Sequence, residues 1–147
     1  MRKEIRYIFK ILTIFCALSV LFGLIWFPQT EGRAENLDLI GIYSDPFIIF
    51  IYLGSLPFFI GLKQYYILMD LDFTDKLYLQ KAIIYLKSIK LVSLILICEI
   101  AISLIYIRFF LRGEDSAGPT MIGTIAISIF TIIVITSAYF QKKFSKM

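Results

Sequence analysis

The sequence predicts an all-α polytopic membrane protein: an antiparallel bundle of four transmembrane helices with both termini in the cytoplasm. Composition, the spacing of apolar blocks and the placement of charge carry that expectation. Of 147 residues, 59% are apolar and 18% charged, against roughly 45–50% and 25% in ordinary soluble domains. Mean hydropathy is +0.83. A soluble chain of this size would lack the polar residues to cover its own surface. There is no histidine, so imidazole zinc sites, His-based triads and histidine pH switches are excluded.

The apolar residues fall in four blocks, taken as spans at about 7–27, 47–68, 89–111 and 120–140. Each approximates the ~20 helical residues that cross a ~30 Å hydrocarbon core. Barrel strands would be near ten residues long and alternate polar with apolar, a pattern not seen here. The first block follows Arg2, Lys3 and Arg6 and so resembles a signal sequence. Its apolar stretch is longer than the usual 7–15 residues, and Trp26, Phe27, Pro28 and Gln29 offer no small-x-small cleavage site, so it reads as a retained helix ended by Pro28. Asp45 before Pro46 caps the second span, which carries Pro57 as a bend. Ser116 with Pro119 announces the fourth in the same way. Cys16 and Cys98, both inside spans, read as small buried hydrophobes.

Ahead of the third span, Asp72 and Thr74 can cap a cytoplasmic helical extension over about residues 75–88. Lys76, Gln80, Lys87 and Lys90 recur at helical spacing along a polar stripe, while Leu79, Ala82, Ile83 and Leu86 supply an apolar face. Such a segment suits a cytoplasmic interaction face or the surface of the inner leaflet.

Orientation follows from the loops. Twelve basic residues lie on one side: Arg2, Lys3, Arg6, Lys10, Lys63, Lys76, Lys81, Lys87, Lys90, Lys142, Lys143 and Lys146. They face four acids, Glu4, Asp70, Asp72 and Asp75. The other side has Arg33, Arg108 and Arg112 against six acids, Glu31, Glu35, Asp38, Asp45, Glu114 and Asp115. Short Lys/Arg-rich loops stay inside. The basic balance is therefore a topology signal, and no direct nucleic-acid partner is expected.

Glu99 stands near the middle of the third span, where a charge costs roughly 2.5–3.5 kcal/mol on insertion scales. Ser103 and Tyr106 share its helix face, at four and seven residues. Lys63, on the second span, is the expected cation, within about one helical turn in depth. Thr124 and Ser128, with Thr131, form a second polar lining. This intramembrane site is read either as a structural clasp, protonated or paired, or as an ion or proton site. A second cluster, Glu31, Arg33, Glu35, Asp38, Asp45, Glu114 and Asp115 in the outer loops, reads as an ion-paired lid or as hydrated loop with helix caps. No spaced calcium loop is present, and neither metal nor cofactor is expected.

The run Phe27-Pro28-Gln29-Thr30-Glu31-Gly32-Arg33-Ala34-Glu35-Asn36-Leu37-Asp38-Leu39-Ile40, followed by Ile42-Tyr43-Ser44-Asp45-Pro46-Phe47-Ile48, resembles the first external loop of a family of small four-span bacterial membrane proteins classed as a domain of unknown function. Leu86-Lys87-Ser88-Ile89-Lys90 and Gly113-Glu114-Asp115-Ser116-Ala117-Gly118-Pro119 resemble its other signatures. Genes of that family often neighbour one for a very small helix-turn-helix regulator. The resemblance implies a multi-pass protein of the bacterial cytoplasmic membrane and a cytoplasmic regulator as partner. It supplies no activity or catalytic residue.

Three classes of function follow. The leading expectation is a non-enzymatic protein that holds or modulates a cytoplasmic partner. The alternative is a small transporter or channel component using Glu99. An intramembrane enzyme is least favoured, because histidine, paired intramembrane aspartates, Gly-x-Ser-x-Gly and a Gly-rich phosphate loop are all missing. Four helices burying little polar surface also leave room for a homo-oligomer.

Overall fold

The computed structural model describes residues 3–30, 38–71, 76–110 and 117–146. It is all-α: α1 (Lys3–Thr30), α2 (Leu39–Tyr43), α3 (Pro46–Leu68), α4 (Lys76–Phe110) and α5 (Ala117–Phe144). Four of the five are long and apolar enough to cross a membrane. Their outward faces carry large exposed apolar side chains, among them Ile8, Phe15 and Phe22 on α1 and Ile122, Ile129 and Ile135 on α5. Helices of this kind are stable where lipid, not water, covers that surface.

Two aspartates start helices. Asp38 accepts from the Gly41 N–H at 3.0 Å and caps the single turn of α2. Asp45, with Pro46 at the first helical position, accepts from the Ile48 N–H at 3.4 Å and caps α3. α3 runs on through Pro57 to Leu68.

α4 is the central element. It is one helix of 35 residues, about 52 Å long at 1.5 Å per residue, and so exceeds a ~30 Å hydrocarbon core by several turns. Leu79, Ala82, Leu86, Ile89, Val92 and Leu96 form a buried stripe along it, with the three- and four-residue spacing of a helix packed on one side. α3 and α5 both pack against α4. Glycines permit the closest approaches. A Cβ added at Gly61 of α3 would lie 3.2 Å from Val92 Cγ1, and one at Gly123 of α5 would lie 2.6 Å from Leu104 Cδ2.

The tightest core gathers where α3 gives way to α4. Leu68, Leu71, Ala82, Leu86 and Ile89 are buried together, with Tyr65, Tyr85, Ile133 and Phe144 packed against them. Early in α1, Lys10 donates to Asp70 Oδ1, and its ammonium lies 4.7 Å from the Tyr66 ring centroid. This region is the junction end of the bundle.

α1 corrects one sequence expectation, since Pro28 does not end it and the helix continues to Thr30. A proline lacks the N–H that would bond the carbonyl four residues back, here that of Leu24. The Tyr52 hydroxyl of α3 donates to that carbonyl at 2.6 Å. The next carbonyl, of Ile25, accepts from the Tyr43 hydroxyl at 3.2 Å and from Gln29 Nε2 at 3.1 Å. With these acceptors satisfied by side chains, the last turn persists.

Candidate intramembrane polar site

Glu99 lies on α4 where that helix faces α3. A Cβ built on Gly54 would sit 3.4 Å from Glu99 Oε2, an ordinary van der Waals contact, so the carboxyl lies against the Gly54 face of α3. Oε2 is buried and has no hydrogen-bond partner among the described residues. An intramembrane polar oxygen left in this state is costly, because hydrocarbon offers it nothing in return.

Most of the partners expected from sequence are not brought to it. Ser103 is the nearest in chain and lies one turn on, but its hydroxyl donates to the backbone carbonyl of Glu99 at 2.9 Å. Tyr106 stands further out, where with Ser103, Pro46, Phe50 and Ile102 it lines a shallow groove of about 230 Å³. Lys63 is exposed. The reason is rotational and axial: Gly54 and Gly61 turn toward α4, and Lys63 is two residues past Gly61, about 200° round the helix. It is also nine residues beyond Gly54, about 13 Å along the axis, not the single turn expected.

Thr124 and Ser128 are likewise turned outward and exposed on α5. Each donates to the carbonyl one turn back, Thr124 to Thr120 at 2.8 Å and Ser128 to Thr124 at 2.9 Å. Gly123 and Ser137 are among the residues of α5 that turn in, and Thr124 follows Gly123 by about 100°. Comparison with protein-family models, with curated proteins and with solved structures gave no match. The site is a carboxyl held between α3 and α4 with no cation on it among the described residues.

The outer-loop cluster divides. Asp38 and Asp45 are the caps of α2 and α3, whereas Glu31, Arg33, Glu35, Glu114 and Asp115 lie outside the described residues. Cys16 and Cys98 are both free and exposed, not the buried hydrophobes expected. In a lipid-facing position a thiol needs no cover from protein.

On the α4 extension, the apolar face is already used. Leu79 and Leu86 are buried and Ala82 is 0% exposed, with Ala82 and Leu86 packed within the chain's own junction core. Gln80 and Lys87 are exposed, Lys90 is half-buried, and the side chain of Lys76 lies outside the described residues, as do Asp72, Thr74 and Asp75. The structure adds members that the sequence reading left out. Leu77 is 56% and Ile84 63% exposed, with exposed Lys81 between them. Leu77, Gln80, Lys81, Ile84 and Lys87 recur at three- and four-residue spacing and share one face. The signal was present as a seven-residue step from Leu77 to Ile84, masked by the stronger apolar stripe opposite.

Proposed function

We propose that this is a non-enzymatic multi-pass protein of a bacterial cytoplasmic membrane that acts on a cytoplasmic protein, such as a small DNA-binding regulator, through the outward face of the α4 extension. The carrying observation is the pairing of two faces on one helix. Ala82 is fully buried while Leu77 and Ile84 stand exposed among Gln80, Lys81 and Lys87. A helix locked on one side and presenting a basic, partly apolar stripe on the other is a rigid platform for a partner with an apolar ridge flanked by acids. The sequence resemblance to a family encoded beside small regulators is in keeping with this reading, and so is the basic side of the chain.

Two sets of contacts support an antiparallel bundle with both termini on one side, and the basic residues of that side favour placing it inside. Gly54 meets Glu99 and Gly61 meets Val92, so α3 rises as α4 descends. Lys10 near the start of α1 and Phe144 at the end of α5 both reach the junction end. A second reading, a small transporter or channel component, is favoured by the unpartnered Glu99 oxygen.

One experiment separates the two. Transcript profiles are compared for a deletion strain, for a chromosomal Lys81→Glu/Ile84→Glu/Lys87→Glu allele and for a Glu99→Gln allele, with membrane levels of each protein checked by immunoblot. A triple allele that reproduces the deletion profile, beside a silent Glu99→Gln allele, is the expected result. The reverse pattern moves the function to the carboxyl. A wild-type profile from the triple allele at normal abundance sinks the partner reading.

A further inference from the structure

A cavity of about 570 Å³ lies among all four long helices in the half of the bundle nearer the junction end, and its walls are almost wholly apolar. The wall supplied by α1 differs from the other three. α3, α4 and α5 are tied to one another through the junction core and the close approaches at Gly61 and Gly123, whereas α1 packs on α3 and α2 without extended contact against α4 or α5. α1 and α5 share the cavity, with Phe9 and Thr13 on one side and Ser137 and Phe140 on the other, but no packed seam joins them. In lipid, a helix not held by close packing is held by its polar contacts. Those of α1, among the described residues, gather at two points.

The point far from the junction end is dense. The Tyr52 hydroxyl donates to the Leu24 carbonyl at 2.6 Å, the Tyr43 hydroxyl to the Ile25 carbonyl at 3.2 Å, and Gln29 Nε2 to the Tyr43 hydroxyl at 3.0 Å. Pro28 is buried beside them. The point at the junction end is a single side chain, Lys10, which bonds Asp70 and lies over the Tyr66 ring. Its acceptor is fixed in place, since Leu71, next to Asp70, is buried in the junction core. The Asp70 side chain is 52% exposed, and an ion pair open to water on one side is readily exchanged for hydration. Between the two points stands Gly23, with nothing within 4 Å of a Cβ built on it. Unlike Gly61 and Gly123 it admits no neighbour. What it supplies is a weak place in the helix, one residue from the Leu24 anchor.

We propose that α1 is the movable wall of this cavity, hinged at Gly23, latched by Lys10 on Asp70, and opening the side between α1 and α5 to the bilayer when that pair separates. The lever is long. Thirteen residues separate Gly23 from Lys10, about 20 Å of helix, so a bend of about 10° carries the latch end about 3–4 Å. The side chains uncovered by such a swing are apolar, and in hydrocarbon their uncovering carries no hydrophobic penalty. Only the Lys10 pair opposes it, because the contacts of Leu24, Ile25 and Gln29 lie beyond the hinge and stay made. This inference rests on neither reading of function above.

The test uses the full chain in lipid nanodiscs, with Cys16 and Cys98, its two cysteines, replaced by alanine. Nitroxide labels go on exposed positions, Ile11→Cys with Ile135→Cys across the half that holds the cavity and Ile25→Cys with Ile122→Cys across the far end. Pulsed electron–electron double resonance reads both separations. Lys10→Met should broaden the first distance and lengthen it by about 3–4 Å while the second stays as it was. Adding Gly23→Ala should draw the first distance back toward that of the latched chain, although the new methyl group touches nothing. Circular dichroism checks helicity, and if Lys10→Met does not fold, Asp70→Asn releases the same latch from its exposed partner. A first distance unmoved by loss of the latch overturns the proposal. So does a second distance that shifts as far as the first, which would be detachment of the whole helix, or an opening as wide with alanine at position 23 as with glycine.

Discussion

α4 and α5 meet by shape, whereas α1 is attached by polar contacts at its two ends. Between α4 and α5 the contact is continuous, with Gly123 receiving Leu104 and Ile133 and Phe144 closing on the junction core. α1 instead joins the rest through Lys10 to Asp70 and Tyr66 at one end and through the Tyr52 and Tyr43 hydroxyls at the other. Between those points it leaves the large cavity and a smaller one of about 440 Å³ beside Ser19, Gly23 and Tyr52. In lipid no hydrophobic force drives helices together, so association depends on close packing and on hydrogen bonds. This bundle divides the two devices between its halves. The large cavity opens where α1 stands off from α4 and α5, which supply much of its wall.

The comparison breaks most sharply at Gly123. Gly123→Val places branched carbon where Leu104 already sits, and thermal or denaturant unfolding in detergent should show a loss of about 2–3 kcal/mol, the cost of overpacking. A change under about 0.5 kcal/mol would mean that α5 slides to absorb it. Next in size is Tyr52→Phe, which strands the Leu24 carbonyl released by Pro28. A loss of about 1–1.5 kcal/mol is expected, within the range measured for interhelical hydrogen bonds in membranes. In a Pro28→Ala background the restored N–H should shrink that loss to near zero, a coupling that a double-mutant cycle reads directly. Gly23→Ala gives the smallest effect and the opposite sign. Nothing lies within 4 Å of a Cβ at Gly23, so the change should stabilise by about 0.5–1 kcal/mol through helix propensity alone. The same step at Gly123 should destabilise, and two glycine substitutions of equal sign would erase the distinction between the halves.

Much of the fold was legible because the bilayer enforces it. Four apolar blocks of the right length and the Asp45-Pro46 cap need no tertiary information to be read. The α4 extension was visible as well, since its apolar stripe alternates with lysines in a segment that leaves the apolar block. The Glu99 site was legible only in part. Its carboxyl stands out in any hydropathy trace, but its expected companions Lys63, Thr124 and Ser128 proved to be turned away. The Tyr52 contact was hidden too, because a tyrosine in a span looks like any aromatic until its hydroxyl is found on another helix.

By itself the sequence determined the class of the protein, the number and extent of its apolar helices and the residue that membrane insertion resists most, because water and hydrocarbon sort residues without regard to their neighbours. Only the tertiary structure decided which faces turn inward. A helix apolar on all sides, such as α3, carries no pattern that distinguishes its inner face from its lipid face. That choice follows the small residues that let backbones approach, Gly61 against Val92 and Gly123 against Leu104, and it turns Lys63, two residues past Gly61, to the exposed side.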